Sequence, residues 1–496
     1  MKRPTRMKFF IGIIIVLFVV GVFSFVQQPE KTKKMAPPNL LIILVDQWTG
    51  HALGFENKEP VLTPNLDELS KKSLVLKQMV SNYPVCSPAR AMLLTGKYPL
   101  KNHVYTNVNS SSAPYGIELP KNIVCWSDVL KSNGYSNGYI GKWHLDSPHE
   151  PYIPTSNNIG KVAWNEWTPP DRRHGFDYWY AYGTYDEHDH PMYWDTKAPR
   201  DSFHYVNEWG PIHEAKKALA FMRNDNEKYR TKGKPFSLVV SMNPPHSEYK
   251  TVPQKYYNLY KDVPLQTFLK DPDIPAAGTE MGDFYRENIK YYYANMTGVD
   301  EQVGVILQGL KDNHLDDNTI VVFMADHGNN LGKHDEISKN NIYEESLSIP
   351  FIIYWKGHIM PRIDNEFLGS IPDLYPTFLD LMGLKKSIPN DLDGVSYAEY
   401  FKNGKGKKPL YQYIMGAIIS NNVNVNTGFR GIRTKEYTFA YVKNKGKTES
   451  YLFDMIKDPF EMNNIYDPNS EIVKQYRKEL IKWLKKTKDI FVIPDK

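Results

Sequence analysis

Three long, predominantly apolar runs are the clearest pattern along this chain, and each is followed at once by a polar side chain. They are Asn39–Val45 before Asp46, Phe236–Met242 before Asn243, and Thr319–Ala325 before Asp326. Runs that stay apolar instead of alternating are typical of parallel strands buried on both faces. Shorter runs at 139–142 and 349–354 predict two further strands.

Helical periodicity lies between these runs, for example at 296–310 and 372–382. Strands that alternate with helices predict an α/β fold, with a large, mainly parallel mixed sheet sandwiched by helices. Open sheets of this class bind ligands beyond the carboxyl ends of their strands. The polar residues that close the three long runs are therefore expected at the functional edge.

The C-terminal part of the chain follows a different pattern. Segments 438–442 and 450–454 predict short antiparallel strands, and a basic helix is predicted at 472–486. We therefore predict a larger α/β domain at 39–387, which holds the candidate chemistry, and a smaller α+β subdomain with a short antiparallel sheet at 388–496.

The N-terminus has the pattern of a targeting segment. Four basic side chains precede an apolar run at 9–26: Lys2, Arg3, Arg6 and Lys8. This predicts a signal peptide or an uncleaved N-terminal membrane anchor at 1–28, followed by a linker at 29–38. Both alternatives predict export. The protein is periplasmic or secreted if the segment is cleaved, and anchored to the membrane if it is not.

The net charge of +5 arises at this N-terminus, because Lys and Arg are concentrated in residues 1–35. The remainder of the chain is close to neutral, so its overall charge gives no indication of a nucleic-acid partner. We expect none. Attraction for an anionic substrate must then be local to a site.

The chain has two cysteines, Cys86 and Cys125. In an exported protein, a disulfide between them is one interpretation. Cys125 lies in an apolar stretch, which favours a small core residue. Cys86 begins the string Cys-Ser-Pro-Ala-Arg at 86–90, which Leu-Thr-Gly follows at 94–96.

That string resembles the maturation signature of the type I, formylglycine-dependent sulfatases of the alkaline phosphatase superfamily. The resemblance implies an alkaline phosphatase-like fold. It also implies that a separate maturation enzyme oxidises Cys86 to formylglycine, whose hydrated aldehyde is the nucleophile. Unmodified, Cys86 is an ordinary thiol.

Other family-like strings follow in order along the chain: Gly-Lys-Trp-His at 141–144, Pro-Pro-His at 244–246, and a lysine four residues before Tyr-Glu-Glu-Ser at 343–346. The implied catalytic set is Cys86, Arg90, Lys142, His144, His246 and Lys339. In the implied reaction Asp326 accepts a proton during attack at sulfur, and His246 or Lys339 protonates the leaving alcohol. His144 then deprotonates the second hydroxyl to release sulfate, while Arg90 and Lys142 steady the diol and the sulfate oxygens.

The resemblance also implies a metal site, with Asp46, Gln47, Cys86, Asp326 and His327 as its residues. Gln47 stands where the family commonly has a second acid, and His327 stands where it commonly has asparagine. Oxygen ligands favour calcium, whereas the imidazole nitrogen suits it less well. Ca²⁺ is therefore expected, with Mn²⁺ or Mg²⁺ as alternatives.

The expected substrate is a sulfate monoester on a sugar of a sulfated polysaccharide, such as ulvan, an algal galactan or a glycosaminoglycan. Segment 185–194 is rich in hydrogen-bonding and aromatic side chains, and its His188 and His190 are candidate sugar ligands. A packed loop or a secondary metal site would give the same composition. Two other functions stay open: a phosphonate or phosphate ester hydrolase of the same superfamily, and a non-catalytic carbohydrate-binding homologue.

Overall fold

The fold is described from a computed structural model that covers residues 1, 36–417 and 425–494. A ten-stranded sheet contains β1 Asn39–Val45, β2 Leu74–Val80, β3 Ser136–Lys142, β4 Tyr178–Tyr182, β5 Met192–Asp195, β6 His204–Tyr205, β7 Phe236–Met242, β8 Thr319–Ala325, β9 Phe351–Tyr354 and β10 Arg362–Ser370. The α-helices are α1 Pro64–Ser70, α2 Cys86–Thr95, α3 Pro99–Asn102, α4 Trp126–Ser132, α5 Gly210–Arg223, α6 Gln254–Tyr257, α7 Glu280–Asp312, α8 Glu344–Leu347, α9 Leu374–Leu381, α10 Ala398–Asn403 and α11 Glu471–Thr487.

The strand order is β10-β2-β9-β8-β1-β7-β3-β4-β5-β6. The central strands β8, β1, β7, β3 and β4 are parallel, whereas β9 runs antiparallel to β2 and β8, and β5 runs antiparallel to β4. Every residue of β7 and β8 is buried, as expected for strands covered on both faces. The predicted mainly parallel mixed α/β sheet is confirmed.

The helices that pack on this sheet form two groups. The long helix α7 contacts α1, α5 and α6, while α2 contacts α3, α4 and α9. One buried carboxylate fixes α1 against α7. Asp300 accepts hydrogen bonds from the backbone N–H groups of Asn65 (3.0 Å) and Leu66 (2.8 Å), two of the free donors in the first turn of α1.

The C-terminal elements form a second, four-stranded antiparallel sheet. Its strands are β11 Gln412–Gly416, β12 Gly428–Arg433, β13 Tyr437–Asn444 and β14 Lys447–Asp454, in that order. Helix α11 packs on β12. The predicted short antiparallel sheet and basic helix are thus confirmed, while the boundary at 387/388 stays a prediction.

The predicted targeting segment, including residues 9–26, lies outside the described residues. Within the described part of the chain, no helix has both the length and the apolar character needed to cross a membrane.

We expect Asp300→Ala to lower the free energy of unfolding by about 1–3 kcal/mol, because the buried N–H of Leu66 and the partly buried N–H of Asn65 lose their acceptor. Urea unfolding followed by circular dichroism measures the change. Asp283→Ala is the matched control, since Asp283 accepts an exposed hydrogen bond at the start of the same α7 helix. Equal losses in the two variants would contradict the proposed role of burial.

Candidate active site

The candidate site lies where four neighbouring strands end. Asp46 follows β1, Asp326 follows β8, Asn243 follows β7, and Lys142 is the last residue of β3. Because β8, β1, β7 and β3 are adjacent and parallel, their carboxyl ends bring these side chains to one edge of the sheet.

Cys86 is the first residue of α2, a helix with every residue buried. Its Sγ lies 3.1 Å from Lys339 Nζ, 3.2 Å from His327 Nε2 and 3.6 Å from Asp46 Oδ1. Burial and Asp46 oppose the thiolate, yet Lys339, Lys142 and His327 together hold the pKa of the Cys86 thiol well below its usual value. Cys86 and Cys125 are both free and buried, so no disulfide joins them.

Arg90 lies one helical turn after Cys86 and joins the two strand-end carboxylates. Its Nε donates to Asp326 Oδ2 at 2.9 Å, and its Nη2 donates to Asp46 Oδ2 at 3.1 Å. Its Nη1 donates to the Lys142 carbonyl at 2.9 Å and to Ser241 Oγ at 2.7 Å. The side chain is 2% exposed. The structure therefore places Arg90 behind the carboxylates, whereas the sequence prediction gave it a role at the diol.

The donor atoms of Asp46, Cys86, Asp326 and His327 all lie within 4.8 Å of one another. His327 Nδ1 is 2.8 Å from the Gly328 carbonyl and must donate its proton there, so Nε2 is the ring nitrogen that faces Cys86 and Asp46. Two carboxylates and an imidazole nitrogen thus converge as metal ligands do. These residues fit a divalent cation.

Gln47 completes this group with an amide instead of a carboxylate. Its Nε2 donates to Tyr249 Oη at 3.1 Å, which leaves Oε1 as the acceptor for Lys339 Nζ at 2.8 Å. Its backbone φ is 66°, in the left-handed region. The amide oxygen therefore lies next to the ammonium group that also contacts Cys86.

Lys142 is fully buried and lies between two partners. Its Nζ is 2.8 Å from Asp46 Oδ2 and 2.9 Å from Asn243 Oδ1. The string at 141–144 depends on a close approach, because Gly141 has a φ of 93° and an added Cβ would lie 2.1 Å from the Ser241 carbonyl. Only glycine fits there.

Asn243 links Lys142 to segment 185–194. Its Nδ2 lies 2.9 Å from Asp186 Oδ1, 2.9 Å from the Tyr185 carbonyl and 3.0 Å from His188 Nε2. Burial lowers the pKa of His188 to about 3, so this imidazole is neutral and accepts from the amide. His188 thus supports Asn243 from behind the pocket. His190 stacks on Tyr205 at 5.0 Å between ring centroids, and the structure does not bring it to the pocket wall.

Two pocket histidines have opposite charge states. Burial and the two lysines oppose charge on His246, but Asp186, 3.4 Å from its Nδ1, and Asp46 raise its pKa to about 9. Burial lowers the pKa of His144, whose Nε2 lies 3.1 Å from the Val108 carbonyl and whose Nδ1 has no hydrogen-bond partner. His246 can therefore act as an acid and His144 as a base.

A pocket of about 430 Å³ opens above Cys86. Five of the predicted residues line it: Cys86, Lys142, His144, His246 and Lys339. Its other walls are formed by Asn107, Ser156, Asn157, Trp164, Thr184, Asp186, Glu187 and Glu248. Sequence reasoning did not assign a role to Asp186 or Asn243. The available signals were the position of Asp186 within segment 185–194 and that of Asn243 directly after the apolar run Phe236–Met242.

Fold and site together define a hydrolase of the alkaline phosphatase superfamily, with an anion pocket and a metal-ligand cluster at the sheet edge. The sulfatase family model matches residues 38–384, and a model of the N-sulphoglucosamine sulphohydrolase C-terminal region matches residues 332–488. An endo-4-O-sulfatase of Bacteroides thetaiotaomicron is 38% identical, over 93% of this chain and 94% of that protein.

Two further similarities agree with this assignment. An ulvan-active sulfatase of Formosa agariphila is 32% identical, over 88% of this chain and 78% of that protein. A crystal structure of a Bacteroides fragilis protein assigned to the sulfatases superposes with a TM-score of 0.88 at 50% identity, over 93% of this chain and 98% of that one. The chain belongs to the sulfatase family. It is a sulfuric ester hydrolase, and members of this family generally depend on formylglycine and a divalent metal.

We expect Asp186→Asn to shift the alkaline limb of the pH profile of kcat to lower pH by about one unit or more, because His246 loses the carboxylate that keeps it protonated. The profile should be measured with a sulfate ester whose alcohol is a poor leaving group. Glu187→Gln is the control, since it changes a pocket carboxyl without a contact to His246. An unmoved limb in Asp186→Asn would show that His246 is not the acid.

Proposed function

We propose that this protein is an exported sulfatase that removes O-sulfate from a sugar of a sulfated polysaccharide, with formylglycine made from Cys86 and a bound Ca²⁺ ion. The observation that carries the proposal is the position of Cys86 Sγ. It lies at the floor of the pocket, in contact with Lys339 and with the metal-ligand atom of His327.

Conversion of Cys86 requires a maturation enzyme that brings its own oxidant, since the Cβ loses sulfur and is oxidised to an aldehyde. The hydrated aldehyde would supply one hydroxyl that attacks sulfur and becomes the covalent sulfate, and a second hydroxyl whose deprotonation later expels that sulfate and restores the aldehyde. The Cys86 thiol in the structure stands in for these groups at the same Cβ.

The proposed metal ligands are Asp46, Gln47, Asp326 and His327. When bound, a divalent ion supplies positive charge beside the reacting atoms. Three oxygen donors favour Ca²⁺, and Mn²⁺ and Mg²⁺, which also take oxygen ligands, stay as alternatives. Arg90 holds both carboxylates in place for such an ion through its hydrogen bonds to Asp46 and Asp326.

The cations around the pocket act on the substrate. A sulfate monoester carries one negative charge spread over three oxygens, and these oxygens repel an incoming nucleophile. Lys142 and Lys339 hold that charge in a preorganised, buried setting, where it is worth more than in water. His246 Nδ1 faces the Ser247 carbonyl and Asp186, which leaves Nε2 to donate a proton to the departing alcohol oxygen.

His144 serves the second half of the reaction. Its neutral Nδ1 has no hydrogen-bond partner and can accept the proton from the second hydroxyl when sulfate leaves. A positive φ of 57° turns this residue out of the strand direction of β3. The proposed acid, His246, and the proposed base, His144, are thus two separate side chains.

The outer pocket supports a sugar as the alcohol. Trp164 offers an aromatic face beside His144, at 6.2 Å between ring centroids, and Asn107 and Asn157 offer amide groups. Of the two relatives described above, one is named as an endo-4-O-sulfatase and the other as an ulvan-active sulfatase. Ulvan, a galactan and a glycosaminoglycan are the proposed substrate classes.

The apolar segment at 9–26 supports the proposed export, either through a cleaved signal peptide or as a membrane anchor. A periplasmic or external location would place the enzyme where large polysaccharides are accessible.

Cys86→Ala is expected to reduce turnover of a sulfated oligosaccharide by at least about a thousand-fold, because the nucleophile is lost. Protein made with a competent maturation system should also show aldehyde at this position, as a tryptic peptide about 18 Da lighter than the cysteine form. Cys125→Ala is the matched control, since Cys125 is also buried and free. Turnover that survives in Cys86→Ala would contradict the mechanism, and unchanged binding without any wild-type turnover would indicate a non-catalytic homologue.

Aryl sulfate should be hydrolysed with a higher kcat/KM than the matching aryl phosphate and phosphonate monoesters. The ligand cluster and the two lysines favour a tetrahedral anion, which all three ester classes present, so the expected preference for sulfate rests on the match of this chain to the sulfatase family. Parallel assays with one leaving group make the comparison. A dominant phosphate or phosphonate activity would overturn the assignment of the substrate.

A further inference from the structure

A second group of metal-ligand side chains lies outside the pocket described above. Asp273 precedes α7, His334 lies in the turn after β8, and Glu345 is in the short helix α8. Their ligand atoms all lie within 4.8 Å of one another. His334 Nε2 is 3.6 Å from Asp273 Oδ2 and 3.6 Å from Glu345 Oε2.

These donor atoms are buried and have no hydrogen-bond partner. The Asp273 side chain has no exposed surface, and neither of its carboxylate oxygens accepts a hydrogen bond. The same is true of His334 Nε2, on a side chain that is 7% exposed, and of Glu345 Oε2. Because an unsatisfied buried polar atom costs about 1–3 kcal/mol and a charged one costs more, these four atoms require either a bound cation or a proton shared between the Asp273 and Glu345 carboxyl groups.

Lys333 does not satisfy them. Its ammonium hydrogen-bonds Asp271 Oδ2 at 2.6 Å, while Asp273 Oδ2 and Glu345 Oε1 are at 3.7 and 3.6 Å. These longer distances are ion pairs without a hydrogen bond. Three carboxyl groups therefore share one ammonium group at a buried place.

We propose that Asp273, His334 and Glu345 bind a second divalent ion, and that the ion is a transition metal such as Zn²⁺. An imidazole nitrogen with two carboxylate oxygens suits zinc better than calcium. Ligands at about 2.0–2.2 Å in tetrahedral geometry are separated by about 3.4 Å, close to the 3.6 Å spacings. A pocket of about 310 Å³, lined by Glu345, Asp271 and Lys333, gives access for the ion and a water ligand.

The site has a structural consequence for the active site. Two of its ligands, His334 and Glu345, flank the segment that carries Lys339, whose Nζ contacts Cys86 Sγ. The Glu345 carbonyl also accepts from the Asn329 N–H at 2.6 Å, two residues after His327. A bound ion thus fixes both ends of the segment that presents Lys339.

Zinc binding by the full-length protein tests the proposal. After metal removal with a chelator, Zn²⁺ is titrated into an Asp46→Asn/Asp326→Asn variant, in which the active-site donors are weakened. We expect one equivalent to bind, a rise in the midpoint of thermal unfolding, and an anomalous-scattering peak between Asp273, His334 and Glu345 in zinc-soaked crystals.

Adding His334→Gln to that variant should weaken the affinity of this site for Zn²⁺ by at least about ten-fold and remove the rise in the unfolding midpoint. Asp273→Asn is the second variant, in case one substitution alone impairs folding, and circular dichroism checks the fold of each. No bound equivalent before these changes, or an equivalent that survives them, overturns the proposal. If Asp273 and Glu345 instead share a proton, zinc will neither bind nor shift the unfolding midpoint.

Discussion

The geometry of the active site depends on the guanidinium of Arg90 between two buried carboxylates. Asp46 and Asp326 come from adjacent strands, and their negative charges would repel each other in a place from which water is excluded. Arg90 donates to both from the second turn of α2, so the helix that carries Cys86 is oriented by the same contacts that hold the carboxylates. Removing one partner of such a buried arrangement costs about 3–5 kcal/mol, since the remaining charge stays buried and unpaired.

That constraint also explains why charge at this site is local. The body of the chain is close to neutral, yet three cationic groups lie within a few ångströms of Asp46. Lys142 and Arg90 contact Asp46 directly, and Lys339 contacts Cys86 beside it. An anionic ester can therefore be attracted by cationic side chains in the pocket although the protein surface is not basic. Salt screens these buried charges less than it screens exposed ones. The electrostatic attraction for an anion is therefore local to the pocket and does not arise from the net charge of the protein.

Much of the sheet could be predicted from the sequence because apolar strands leave a direct pattern. The bounds of β1, β7 and β8 match the three runs, and the residues that close them meet at one edge. The direction of β9 could not be predicted, since a short apolar run has the same composition in either orientation. The ion pair of Asp186 with His246 was missed for a related reason: the two residues are far apart in sequence, and only the β4-β3-β7 pairing brings their loops together.

The roles of individual side chains show the same limit more sharply. His188 and His246 both lie near Asn243 and have the same intrinsic chemistry, but burial with an amide donor makes the first neutral and a carboxylate makes the second a cation. Composition singled out His188 and His190, whereas the charge that acts on His246 comes from their neighbour Asp186. A sequence pattern can locate segments rich in reactive groups. Which member of a segment acts depends on the charges that tertiary structure places within about 4 Å of it, and these distances are set by the strand order of the sheet.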